Sequence, residues 1–167
     1  MKSLLVIGAG SFSTEVEELA HILGYGNIAF LDDNPNRAMS SPVIGTCSQI
    51  AEFRDTYDTS IVALGNNVER MKYHNLLKDY SFFIPTLIHP SAYVSPDAEI
   101  QPGCIIRANA VVSRFVHIGE SVILNVGALV DHHVKIGSGC HILMGAVIRN
   151  MVSVPPFTRV EGLSIMQ

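Results

Sequence analysis

The sequence predicts two joined units. An α/β Rossmann-like domain occupies residues 1–85, and a left-handed parallel β-helix of hexapeptide repeats, with about four coils, occupies 86–167. Three observations predict this. An aliphatic residue recurs at every sixth position from Ile88 to Val160. Before that series, short apolar runs alternate with amphipathic ones, the rhythm of a parallel sheet. Charge divides the same way: residues 1–87 hold 6 Lys/Arg against 10 Asp/Glu, and residues 88–167 hold 5 against 5, so the net charge of -4 lies in the first part.

Element by element, Leu4–Ile7 reads as a strand running into Gly8-Ala9-Gly10. Thr14 to Gly24 reads as a helix, with Thr14 and Glu17 at capping-box spacing. Ile28–Leu31 is a second strand, closed by the turn Asp32-Asp33-Asn34-Pro35. Ser48–Tyr57 reads as a short helix, Ile61–Leu64 as a third strand ending at Gly65-Asn66-Asn67, and Glu69–Tyr80 as a helix. Ser81–Ile84 reads as a fourth short strand. Gly8-Ala9-Gly10 ahead of a helix has the outline of a phosphate cradle. Ser13 stands where a dinucleotide fingerprint places its third glycine, and the unit has no second mononucleotide half, so a mononucleotide or nucleotide-sugar fits better than NAD.

In the second unit the column Ile88, Val94, Ile100 and onward is interlocked with another, four residues later: Ala92, Ala98, Cys104, Ala110 and so on to Thr158, each small or β-branched. Neither a helix of period 3.6 nor a strand of period 2 gives this pattern. Three hexapeptides make one triangular coil, with the aliphatic residue inside and the small residue where the walls crowd together. Cys104 and Cys140 fall two coils apart, roughly 10 Å, too far for a disulfide. Residues 1–87 are expected to cover the first coil, and Pro155-Pro156-Phe157 through Met166 to cap the last.

Composition excludes several classes. The acidic balance argues against nucleic acid as a partner. No apolar run approaches the ~20 residues that span a bilayer, so no membrane partner is expected. Three cysteines without C-x-x-C spacing suit a reducing cytoplasm, and no metal is expected.

Gly8-Ala9-Gly10, Phe30-Leu31-Asp32-Asp33, Ala63-Leu64-Gly65-Asn66-Asn67 and Ile88-His89-Pro90-Ser91-Ala92, followed by hexapeptides carrying Asn125 and Asp131-His132, resemble the sugar acyltransferases. These are the enzymes of the sialic acid O-acetyltransferase and UDP-4-amino-sugar N-acetyltransferase type. The resemblance implies an acetyl-CoA-dependent transferase acting on an amino group of a nucleotide-linked sugar in bacterial glycan biosynthesis. It implies a homotrimer with acetyl-CoA held between subunits. It makes His132 the general base, and Asp131 or another carboxylate is expected to hold its tautomer. It places the nucleotide-sugar at Gly8, Gly10, Ser11, Phe12, Asp32, Asp33, Gly65, Asn66 and Asn67, and the acyl-CoA at Asn125, His141, Gly145 and Asn150. The chain departs from the pattern at His133, where an acidic residue is common, and in a shorter β-helix.

Three other readings compete. One is a nucleotide-sugar-binding trimer without the full CoA site. Another is a sugar O-acetyltransferase using the same histidine. The third is a zinc hydratase in which three histidines at a subunit interface bind the metal, drawn from His117, His132, His133 and His141.

Overall fold

The fold comes from a computed structural model that describes residues 2–34, 36, 37 and 39–167; Pro35 of the expected turn lies outside them. The chain divides into two compact units, Met1–Pro85 and Thr86–Gln167.

In the first unit, strands β1 (Lys2–Ile7), β2 (Tyr25–Leu31), β3 (Val43–Gly45) and β4 (Ser60–Val62) form a parallel sheet in the order β3-β2-β1-β4. Helices α1 (Ser11–Ile22) and α2 (Asn67–Asp79) follow β1 and β4. Leu4, Leu5, Ile7, Phe30, Leu31 and Ile61 are fully buried, as central parallel strands covered on both faces require.

Several expectations are corrected here. Helix α1 starts three residues earlier than predicted, so Thr14 is no cap. Its hydroxyl donates to the carbonyl of Ser11 instead. The capping box lies at Thr46 and Gln49, heading a 3-10 helix (Cys47–Phe53) where a short helix over Ser48–Tyr57 was expected. Strand β3 was missed, because three residues are too few to show a period. Ser81–Ile84 contributes only one bridge, Phe83 to Thr59, and no strand.

The second unit is a left-handed parallel β-helix. Two-residue strands begin at every sixth residue from Leu87 to Ile165 and pair in parallel with strands 18 residues away. The second residue of each strand, Ile106, Val112, Ile118 and so on, packs in one interior cluster with Cys104, Ala110, Val116 and their repeats. The first residue points away from that interior, although Leu87, Ile105, Ile123 and His141 are buried all the same. These outward residues distinguish three walls. The first wall carries Leu87, Ile105, Ile123, His141 and Arg159. The second carries Tyr93, Val111, Leu129, Val147 and Ile165. The third carries Glu99, His117, Lys135 and Ser153.

The corners hold a third column. Every sixth residue from Gly103 to Leu163 has a left-handed backbone, and most of these are not glycine: Asn109, Phe115, Ser121, His133, Met151, Phe157 and Leu163 all have φ between 54° and 63°. Each such residue costs about 1–2 kcal/mol. The coils over-determine it, because the same residue donates its N–H to the coil before: Phe115 to Asp97, His133 to Arg114, Met151 to His132. The segment expected to cap the last coil instead extends it: Arg159–Val160 and Ile165–Met166 pair with His141–Ile142 and Val147–Ile148. Pro155 and Pro156 sit in a corner, where no ladder N–H is needed.

Candidate active site

His132 stands in the corner after the second wall, beside the left-handed His133. The two rings meet edge-on with centroids 5.1 Å apart, and Nδ1 of one lies 2.9 Å from Nδ1 of the other. One of these nitrogens carries the proton and the other accepts it. The Phe115 ring lies 5.0 Å from that of His133, and the Arg114 guanidinium lies 5.0 Å over Phe115. Arg114 in turn donates to Asp97 at 2.6 Å. Ser113, Arg114, Phe115, Asp131, His132 and His133 line a pocket of about 400 Å³, and a smaller hollow of about 250 Å³ adjoins it over Val111, Leu129 and Val147 of the second wall.

Asp131 does not orient the imidazole. Its carboxylate accepts the backbone N–H of His132 at 2.7 Å, the short reach open to an Asx side chain at a turn. The ring is held by His133, a residue that the sequence offered only as a zinc ligand. Nδ1 of His132 is thus engaged with His133, and Nε2 is its other ring nitrogen.

In the first unit, the loops after β1, β2 and β4 converge at the carboxyl ends of the strands. That is where parallel sheets bind ligands, here at the switch point between β1 and β4. Gly8 has φ 94° and donates to Leu31 at 2.8 Å. A Cβ on Gly8 would come within 2.5 Å of Leu64. Gly10 has open space around it. Ser11 is exposed at the helix start, with Phe12 behind it half-buried, while Ser13 is buried and donates to the carbonyl of Ala63.

The acidic pair is engaged with backbone. Asp32 accepts from Ala9 at 2.7 Å and from Asn34 at 2.8 Å, and Asp33 accepts from Cys47 at 3.0 Å. Asn66 caps α2, accepting from Val68 and Glu69. Arg70, fully buried, donates to the carbonyls of Leu64 and Gly65 and to Asn67 Oδ1, and so shapes the Gly65-Asn66-Asn67 loop. Sequence reasoning missed Arg70, because a charged residue on a helix reads as solvated.

Residues 3–77 match the family model described as the PglD N-terminal domain. The whole chain matches the acetyltransferase domain of PglB from Neisseria gonorrhoeae FA1090, with a TM-score of 0.87 and 32% identity, covering 100% of this chain and 92% of that one. The chain belongs to the sugar acetyltransferase family. The same gonococcal domain in complex with acetyl coenzyme A matches with a TM-score of 0.78 and 34% identity, over 95% of this chain and 87% of that one. PerB from Caulobacter crescentus, in complex with CoA and GDP-perosamine, matches with a TM-score of 0.89 and 25% identity, over 100% of this chain and 89% of that one.

The residues of this acetyltransferase expected around the acyl-CoA do not converge within one chain. Asn125 and Gly145 occupy the corner before the second wall, whereas His132 and Asn150 occupy the corner after it. Asn125 is buried, and its side-chain oxygen accepts from Arg107 and from the Val126 N–H, both at 2.8 Å. Gly145 has φ 64°. His141 is buried on the first wall. His117 faces Glu99 at 3.0 Å on the third wall. Within one chain His117 and His141 thus stand on different walls from the His132-His133 corner, and among the described residues no group of three or more His, Cys, Asp or Glu side chains could hold a metal ion. Cys47, Cys104 and Cys140 are buried thiols outside any disulfide, and Cys104 and Cys140 donate to the carbonyls of Gly119 and Pro155. Burial, helped by Asp33 and Asp32, pushes the Cys47 thiol up to about 11.

Proposed function

We propose that the protein transfers the acetyl group of acetyl-CoA to the amino group of a nucleotide-linked sugar, with His132 as general base. The observation that carries this reading is the His132 imidazole. It lies at the edge of a pocket, with Nδ1 held at 2.9 Å by His133 and Nε2 left for the incoming amine. As the amine attacks the thioester carbonyl, Nε2 takes its proton. The same nitrogen then returns that proton to the departing CoA thiolate, so that proton balance closes within one turnover. A backbone N–H of a corner is a suitable donor to the carbonyl oxygen. The nucleotide would lie across Gly8–Gly10, with its phosphates at the N-terminus of α1.

The second wall favours a homotrimer. Tyr93, Leu129 and Ile165 stand on it 57%, 42% and 60% exposed, and Val111 and Val147 lie between them. An apolar ladder of this length needs a partner. A head-to-tail contact on this wall presents two different edges to each other, so one copy's His132 corner would meet another copy's surface. This accounts for the separation of His132 from Asn125, His141 and Gly145 in the single chain. A binding trimer without a full CoA site has less support, because the chain spans nearly all of the gonococcal domain that binds acetyl coenzyme A. We place the reaction in the cytoplasm, where thiols outside disulfides stay reduced. No helix among the described residues is long and apolar enough to cross a membrane.

The test is calorimetric titration of acetyl-CoA, with and without a UDP- or GDP-linked amino sugar, on the wild type and on His132→Ala. Micromolar binding that survives the substitution, with turnover reduced about 10²–10⁴-fold, supports the reading. Absence of CoA binding at millimolar concentration overturns it.

A further inference from the structure

We infer that His133 is the positioning residue for His132, and that the pair works only while both imidazoles are neutral. The inference deepens the reading of His132 as base and rests on it. The Nδ1–Nδ1 contact of 2.9 Å admits one proton between two nitrogens. For Nε2 of His132 to act as base, His132 must carry its proton on Nδ1. His133 must then accept through Nδ1 and hold its own proton on Nε2. A carboxylate in that place would accept at any pH above its acidic range. An imidazole accepts only until it is protonated, when two donors face each other and the contact is lost.

The surroundings hold His133 to this role. Its left-handed backbone, φ 60°, is pinned by the N–H donated to Arg114 O at 3.1 Å. Its ring packs on Phe115, 5.0 Å away. The charged groups around the pair are Asp131, bound to the His132 backbone N–H; Arg114, in the coil before, with its partner Asp97 one coil further back; and Arg149, in the corner of the coil after. From that next coil Met151 donates its N–H to the His132 carbonyl at 3.2 Å, and Asn150 stands at the position matching His132. Asp131 and Asp97 are both engaged elsewhere, with the His132 N–H and with Arg114, which leaves His133 as the acceptor for the His132 ring.

Two measurements test this on the full-length protein. Nitrogen-15 NMR of histidine-labelled protein should show His132 as the Nδ1–H tautomer and His133 as the Nε2–H tautomer at neutral pH. Finding both rings as Nε2–H tautomers overturns the inference, whatever the activity. Steady-state kinetics would use acetyl-CoA and a nucleotide-linked 4-amino sugar, on wild type, His133→Met and His133→Glu. Met151 and Phe115 occupy the same left-handed corner position in adjacent coils, so an unbranched methionine suits this backbone. His133→Met should lower kcat about 10–100-fold with little change in KM. His133→Glu should restore most of kcat. The acid limb of log kcat/KM should be steeper than one proton in the wild type and a single-proton limb in His133→Glu. Equal kcat in His133→Met and wild type, or identical limbs in wild type and His133→Glu, overturns the inference. His132→Ala separates the two claims: if it stays fully active, the base assignment itself fails.

Discussion

The carboxylate of Asp32 accepts a hydrogen bond from the backbone N–H of Ala9 at 2.7 Å, so the acidic residue after β2 is a strut for the glycine loop after β1. The other oxygen holds Asn34, and Arg37 approaches it at 3.7 Å. Removing the strut leaves the loop N–H groups without their charged acceptor, which costs about 1.5–3 kcal/mol. Asp32→Ala should therefore lower Tm and raise KM for the nucleotide-sugar at least 10-fold, with kcat nearly unchanged. Melting curves and saturation kinetics check both.

The two loop glycines should respond differently. Gly8→Ala forces a side chain into a left-handed backbone and against Leu64, so it should destabilise by about 1–3 kcal/mol. Gly10 has an extended backbone and open space, so Gly10→Ala should leave Tm unchanged. It should nevertheless weaken nucleotide-sugar binding, because the added methyl group occupies the space where we propose the phosphates lie. Denaturant melts and calorimetry on the two variants separate fold from site.

Stacking of the coils depends on two glycines that the hexapeptide pattern does not mark. A Cβ on Gly119 would lie 2.6 Å from the backbone N of Ser138, and one on Gly137 would lie 2.5 Å from that of Pro156. Backbone cannot swing away as a side chain can. Each change to Ala should cost about 1–3 kcal/mol, read as a fall in the denaturant midpoint without a change in slope.

The second wall offers a test of assembly. Leu129→Asp places a charge in the middle of the ladder between Val111 and Val147, at an exposed position where the single chain can hydrate it. Size-exclusion chromatography with light scattering should show trimer in the wild type and monomer in the variant. Activity should fall with the trimer if the site is completed by a second copy.

Cys47 predicts an alkaline effect. Its thiol is raised to about 11 from 9.0, so between those values the unfolded chain gives up the proton before the folded chain does. The folded state then binds more protons, and stability falls as pH rises from about 9 to about 11. Cys47→Ser should flatten that fall. At pH 8 the native thiol should react slowly with a disulfide reagent and quickly once unfolded.

The β-helix was legible because burial repeats with the coil. Ile106, Val112 and Ile118 each fill the same interior, so each sixth residue must be apolar. The sheet of the first unit was legible for the same reason, through runs such as Leu4–Ile7. Short or partner-dependent features were not. Strand β3 has no period to show, and Asn66 reads equally well as a ligand contact and as the helix cap it is. The left-handed column at Phe115, His133 and Met151 is chemically mixed, because it is held by hydrogen bonds from the adjacent coil and not by side-chain type.

The sequence by itself determined the two units, the interior of the coil and the histidine that stands at its corner. Only the tertiary structure decided that His133, not Asp131, holds the His132 ring, and that Asp32 braces the glycine loop. Burial is a property that each residue carries and a repeat can display. A hydrogen bond depends on distance and angle between two particular atoms, and those are set only when one turn of chain is laid against the next.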